Sequence, residues 1–179
     1  MKNNKNAGKA ARRSGKRPGL PLIAAAAAAL CLLTLVITGP AGRAAPSDSG
    51  AAVIEAGGAL LIPKADISSS VSFFPVEVDG TRMEVLAVRD SEGTIRTAFN
   101  TCQICYSSGR GYYVQQGDAL VCQNCRNRFT VNQVEVYSGG CNPWPIFAQD
   151  KTETEDAIEI SYEFLAASRK IFADWKAIY

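Results

Sequence analysis

The sequence predicts an α+β fold that is mainly β: a small sheet domain with a cysteine-ligated β-hairpin module and a C-terminal amphipathic helix. Short apolar segments separated by turn residues predict the strands. Two Cys-x-x-Cys pairs flank one of the predicted hairpins, and apolar residues near the C-terminus recur at helical spacing. The 179 residues suffice for one ordinary domain with additional segments.

The N-terminal part of the chain divides into three segments before the domain begins. Residues 1–19 are a basic N-terminus with seven Lys and Arg residues, and residues 20–38 are uncharged and mostly apolar. This pattern predicts a transmembrane anchor or a signal sequence whose N-terminus is cytoplasmic, with a cleavage site near residues 42–44 left open. Residues 39–59, rich in Ala, Gly, Pro and Ser, predict a flexible linker to an extracytoplasmic domain at 60–179.

The charge distribution excludes nucleic acid as a partner of the domain. The chain after Ala44 has 11 basic and 17 acidic residues, a formal net charge of −6, although the whole chain carries +2. Phosphate would repel such a domain. The chain also contains no histidine, which excludes catalysis by Ser-His-Asp or Cys-His and any His-ligated metal. A metal site would therefore have to be built from sulfur.

The first predicted strands precede the cysteines. Residues 71–78 and 81–88 flank Asp79-Gly80, which predicts a β-hairpin because Asp-Gly readily adopts the positive φ angles of a two-residue turn. A third strand, 95–100, follows the next turn and leads to the first cysteine. After the last cysteine, residues 157–161 predict a strand and residues 164–175 an amphipathic helix that caps the sheet.

Five cysteines of the predicted domain are candidate metal or cofactor ligands. They are Cys102, Cys105, Cys122, Cys125 and Cys141. The two Cys-x-x-Cys pairs are separated by 16 residues, within which 112–115 and 119–122 predict two short strands. Folding this hairpin brings both pairs together, so that four thiolates can bind one centre. Such ligands suit an iron–sulfur cluster or another thiolate-bound metal, namely Fe, Zn or Cu.

A disulfide framework is the alternative for an extracytoplasmic domain. Five cysteines cannot all pair within one chain, however, and the segment 102–141 has few large apolar residues to support itself. A bound metal can contribute about 10–16 kcal/mol to the folding of a small domain.

Tyr106 and Arg126 follow the two pairs where glycine is frequent, which predicts a poorer approach of backbone N–H groups to the sulfurs.

An ordered set of motifs resembles the FtrD-like membrane iron–sulfur domain. The motifs are the runs 72–83, 98–105, 121–125 and 139–143, and the resemblance extends over residues 62–172. It implies a membrane-associated protein of high-affinity iron uptake, with an iron permease and periplasmic iron-binding components as partners. It also implies that the five cysteines carry iron–sulfur or another metal.

The sequence alone is compatible with three functions. The first is electron transfer or metal handling for iron uptake, in which the chain is a redox or metal-binding subunit more than a stand-alone enzyme. The second is a structural zinc-ribbon module for protein contacts. The third is a thiol–disulfide redox protein, since a Cys-x-x-Cys pair can cycle between thiol and disulfide.

Overall fold

The computed structural model describes residues 50–136 and 138–177. The predicted basic N-terminus and the predicted anchor at 20–38 lie outside these residues. The described chain is mainly β with one short α-helix, which confirms the predicted fold class. Its strands are β1 (Ala52–Val53), β2 (Ala59–Pro63), β3 (Ser72–Val78), β4 (Thr81–Arg89), β5 (Ile95–Cys102), β6 (Tyr113–Gln116), β7 (Ala119–Cys122), β8 (Arg128–Thr130), β9 (Pro143–Pro145), β10 (Thr152–Glu153) and β11 (Ala157–Ser161).

A five-stranded sheet in the order β1-β3-β4-β5-β9 forms the centre of the domain. The predicted β3–β4 hairpin is confirmed, with Asp79 and Gly80 at φ 46° and 74° in its turn. Positive φ at both positions matches the right-handed twist of the two strands. β5 continues the antiparallel pairing and ends on Cys102, so this sheet supplies the first candidate ligand.

A three-stranded sheet, β10-β11-β2, covers the main core. Alternate residues of β2 and β11 point inward, and Leu60, Ile62, Ile158 and Ile160 are fully buried. This alternation is the sequence signature of a strand with one face on a core. The core that results also contains Phe99 of β5 and therefore holds the strand that leads to the cysteines.

The C-terminal helix is shorter than the periodicity predicted. The α-helix α1 spans Tyr162–Ser168, and a 3-10 helix follows at Arg169–Phe172. Contacts with β5 explain the difference, because the indole N–H of Trp175 donates to the carbonyl of Asn100 at 2.8 Å. The last turns are therefore bonded to β5, where the hydroxyl of Thr101 also donates to the carbonyl of Ile171.

The start of the domain also differs from the predicted boundary. β1 lies within 39–59, the range predicted as a flexible linker, and pairs in parallel with β3. Ala52 and Ile54 are buried, and the backbone N–H of Ile54 donates to the carbonyl of Glu77 at 2.9 Å. Burial of these two apolar side chains and pairing with β3 thus form an edge strand where the composition indicated a linker.

The predicted cysteine hairpin is present as β6 and β7, to which β8 adds a third antiparallel strand. A second apolar cluster joins this small sheet to the outer face of the five-stranded sheet, and it includes Leu86, Ala98, Tyr113 and Leu120. Sheet packing, and not the cysteines alone, therefore positions the hairpin beside the end of β5. Within 50–136 and 138–177, no helix is long and apolar enough to cross a membrane.

Candidate metal centre

The first cysteine turn, residues 102–105, begins where β5 ends. The backbone N–H of Cys102 donates to the carbonyl of Gly111 at 2.6 Å. Gly111 lies so close to the turn that a Cβ at this position would be 2.2 Å from the carbonyl oxygen of Cys105. Only glycine allows this approach. The contact holds the segment that precedes β6 against the first cysteine turn.

The second cysteine turn, residues 122–125, begins where β7 ends. The N–H of Cys122 donates to the carbonyl of Asn127 at 3.0 Å, and the N–H of Arg126 donates to the carbonyl of Cys122 at 3.0 Å. Arg126 has a φ of 65°, a left-handed conformation that glycine adopts at less cost. The second turn therefore forms although Arg126, and not glycine, occupies its left-handed position.

The two turns bring four thiols to one point. The Sγ atoms of Cys102, Cys105, Cys122 and Cys125 all lie within 4.8 Å of one another. The first three residues are buried and Cys125 is partly exposed. A tetrahedral ion with metal–sulfur bonds of ~2.3 Å places its ligand atoms ~3.8 Å apart, so these four thiolates fit one thiolate-bound metal ion.

Backbone N–H groups approach the sulfurs in both turns. The N–H of Cys105 lies 3.4 Å from the Sγ of Cys102. In the second turn, the N–H of Cys125 makes the corresponding contact with the sulfur of Cys122, and the N–H of Asn124 makes a further one. Each such donor stabilises the thiolate over the thiol. Both turns therefore make N–H contacts to sulfur without a glycine after the pair, and at the second turn Arg126 takes up the left-handed conformation.

Hydrogen bonds between the thiols link the two cysteine pairs and shift their pKa values. A hydrogen bond from the Cys122 thiol lowers the pKa of Cys102 to about 4 and correspondingly raises the pKa of Cys122 above its usual value. Burial raises the pKa of Cys105. Burial also acts to raise the pKa of Cys125, but hydrogen bonds from the Asn127 N–H and the neighbouring thiols lower it overall. A bound cation would replace these shared protons.

Tyr113 shields the inner side of the centre. This residue stands opposite Cys122 in the β6–β7 pairing and is 1% exposed. Its hydroxyl donates its single proton to the carbonyl of Cys141, and the sulfur of Cys102 is a second acceptor beside it. Burial, together with these partners, raises the pKa of Tyr113, which therefore stays a neutral donor. Cross-strand register to a cysteine is the sequence signal that could have indicated this role.

Cys141 lies beside the four-thiol group but outside it. Its thiol is hydrogen-bonded to Cys125, and burial raises its pKa to about 12. Its backbone carbonyl lies 3.7 Å from the Sγ of Cys102. Gly139 and Gly140, at φ 117° and 61°, carry the preceding loop through conformations that suit glycine. The structure thus brings all five predicted cysteines together, with four as one ligand set.

Gln103 ties the loop before Cys141 to the first cysteine turn. Its backbone N–H donates to the carbonyl of Asn142 at 3.2 Å, and its side-chain oxygen accepts from the N–H of Gly139 and the hydroxyl of Ser138, both at 2.9 Å. The sequence analysis gave this residue no role. An amide between two cysteines is a weak signal, since its partners are more than 30 residues away along the chain.

A comparison with family models places this geometry in a known context. The family described as membrane iron–sulfur containing protein, FtrD-like, matches residues 67–172. The chain belongs to the FtrD-like family. No curated protein and no solved structure shows significant similarity to it. The FtrD-like match includes all five cysteines, and family membership together with the four-thiol group fits a metal-binding protein.

Proposed function

We propose that this FtrD-like protein is a membrane-associated extracytoplasmic metal-binding protein that acts in electron transfer or metal handling for iron uptake. The convergence of four thiols carries the proposal, because thiolates at this spacing have a high affinity for Fe, Zn or Cu. An iron permease and periplasmic iron-binding components are the proposed partners. The family description supports membrane association.

The uneven burial of the centre supports a role beyond structure. Cys102 and Cys122 are fully buried, whereas Cys125 and Cys141 are partly exposed on the other side. A partner can therefore approach the centre from the side of Cys125. Burial makes the low-pKa thiolate of Cys102 a poor attacking group for thiol–disulfide exchange, which requires an accessible thiolate. The thiol–disulfide alternative would therefore have to act through Cys125, which is partly exposed and also has a lowered pKa.

Single cysteine variants test the metal-binding part of the proposal. Cys102→Ser, Cys105→Ser, Cys122→Ser and Cys125→Ser should each lower the metal content and the thermal stability of the purified full chain, because each removes one of four ligands. Cys31→Ser, outside the predicted domain, is the matched control and should change neither. Wild-type metal content in all four variants would contradict the proposal.

The cellular part of the proposal needs two measurements. A reporter fused after Tyr179 should be active only outside the cytoplasm if the basic N-terminus is retained inside. Growth under iron limitation should then fall in cells that carry Cys102→Ser in place of the wild-type chain. A cytoplasmic reporter, or normal growth and iron uptake by this variant, would contradict the proposed role.

Cys141 separates iron handling from the structural zinc alternative. A structural site uses only the four-thiol group, so Cys141→Ser would then lower the melting temperature and leave iron uptake unchanged. If the fifth thiol takes part in metal or electron transfer, the same variant should keep its metal and lose iron-dependent growth. Metal content, melting temperature and growth are therefore measured on one variant.

A further inference from the structure

We infer that the four cysteines hold a single tetrahedral metal ion and not an iron–sulfur cluster. This inference rests on the proposed metal-binding function and concerns the nuclearity of the centre. It departs from the iron–sulfur wording of the family description. The distances between sulfurs, their contacts and the rigidity of the strands that carry them support it in turn.

The sulfur spacing is the first argument. In a cluster, cysteines bind different irons that sulfides bridge, and their sulfurs lie on the outside of the cluster. With metal–sulfur bonds of ~2.3 Å and tetrahedral angles at each iron, some of these sulfurs must be about 6 Å apart or more. The largest separation among Cys102, Cys105, Cys122 and Cys125 is within 4.8 Å, close to the ~3.8 Å of a single ion.

Contacts between the two cysteine turns are the second argument. The thiol of Cys122 is hydrogen-bonded to Cys102, and the thiol of Cys105 is hydrogen-bonded to Cys125. Each turn therefore contacts the other through sulfur at two points. Irons and bridging sulfides would have to occupy the space between these atoms, whereas one ion fits at the centre of the group while its four ligands remain near one another.

The position of the two cysteine turns relative to each other is the third argument. Cys102 is held by Gly111 at 2.6 Å, while the second turn is anchored by the N–H of Gln123, which donates to the carbonyl of Tyr112 at 2.8 Å. Gly111 and Tyr112 are consecutive residues, so one short segment holds both turns. Tyr113, next along the chain, is buried and pairs with Cys122. The backbones of the two turns are therefore fixed relative to each other, and a wider sulfur spacing would require the buried cysteine side chains to change rotamer.

Metal and sulfide analysis of the full chain tests the inference. Protein purified in detergent without oxygen should contain one metal ion per chain and no acid-labile sulfide. Metal-depleted protein should bind Co²⁺ at one ion per chain and show the visible bands of a tetrahedral tetrathiolate. Sulfide in a stoichiometric ratio to iron, or reconstitution that requires both iron and sulfide while Co²⁺ fails to bind, would overturn it.

Two variants make the Co²⁺ result specific. Cys125→Ser should shift the Co²⁺ bands and weaken binding, since one of the four thiolates becomes a hydroxyl. Cys141→Ser should retain the tetrathiolate spectrum, because this thiol lies outside the group. Loss of the tetrathiolate bands in Cys141→Ser alone would overturn the assignment. A cluster found in the wild type and lost in the Cys→Ser variants would refute the single ion yet support the proposed metal-binding function.

Discussion

Gly111→Ala tests whether one close backbone approach sets the geometry of the centre. The new Cβ would lie 2.2 Å from the carbonyl oxygen and 2.5 Å from the carbonyl carbon of Cys105. Ordinary contact begins at 3.4 Å, so the chain at Cys105 must move by about 1.2 Å. Metal–ligand distances are met within about 0.2 Å, which makes this displacement large for a coordinating residue.

The energy of this clash sets the expected change in affinity. Overpacking costs about 1–3 kcal/mol, and the upper end applies at Gly111 because the clashing atoms are backbone and not a flexible side chain. If the metal-free turn relaxes away from the clash and metal binding has to restore it, about 3 kcal/mol corresponds to a roughly 100-fold weaker metal affinity. Chelator competition with Zn²⁺ or Co²⁺ measures this change directly, and thermal unfolding with and without metal shows whether the loss falls on the bound form.

Gly117→Ala is the matched control. Gly117 lies in the β6–β7 turn at φ 65°, and an added Cβ would have no atom within 4 Å. An alanine in this left-handed conformation costs about 1 kcal/mol, which corresponds to a less than tenfold change in metal affinity. Wild-type metal affinity and melting temperature in Gly111→Ala, or an equal loss in both variants, would refute the reasoning that the close approach positions the first cysteine turn.

Two further predictions follow from buried charges and from the thiols. Glu135→Gln should lower the free energy of unfolding by about 3 kcal/mol in denaturant titrations, because the buried ammonium of Lys151 loses the carboxylate at 2.8 Å and keeps only that of the half-exposed Glu153 at 3.7 Å. Glu153→Gln, at the 45% exposed end of the same network, should cost at most about 1 kcal/mol, and equal losses would contradict this account. Metal affinity should rise about 100-fold per pH unit at near-neutral pH, because Cys105 and Cys122 have raised pKa values and each releases a proton on binding. Lower pH therefore weakens binding, and a pH-independent dissociation constant would show that both are already thiolates in the metal-free protein.

Local patterns in the sequence predicted the fold class and the cysteine hairpin. Asp79-Gly80 predicted the turn of the β3–β4 hairpin, because the φ angles of a two-residue turn depend on the residues within it. The Cys-x-x-Cys spacing likewise predicted two turns that meet through one hairpin. These features need only short-range geometry, and the structure confirms them.

Long-range contacts decided the features that the sequence alone left open or misplaced. A hydrogen bond from the Trp175 indole to β5 accompanies the early end of the predicted helix. The edge strand at Ala52 depends on pairing with residues more than 20 positions away along the chain. The buried pair of Glu135 and Lys151 likewise joins segments that periodicity cannot relate.

The centre shows the same division most clearly. The sequence by itself excluded histidine as a ligand and identified the five cysteines that are candidate ligands. Only the tertiary structure decided that Gly111 packs against the first turn, that the Tyr113 hydroxyl lies between Cys102 and the carbonyl of Cys141, and that Cys141 lies beside the four-thiol group. The physical reason is that sulfur–sulfur distances depend on how two sheets pack, and packing is a property of contacts that residue order does not encode locally.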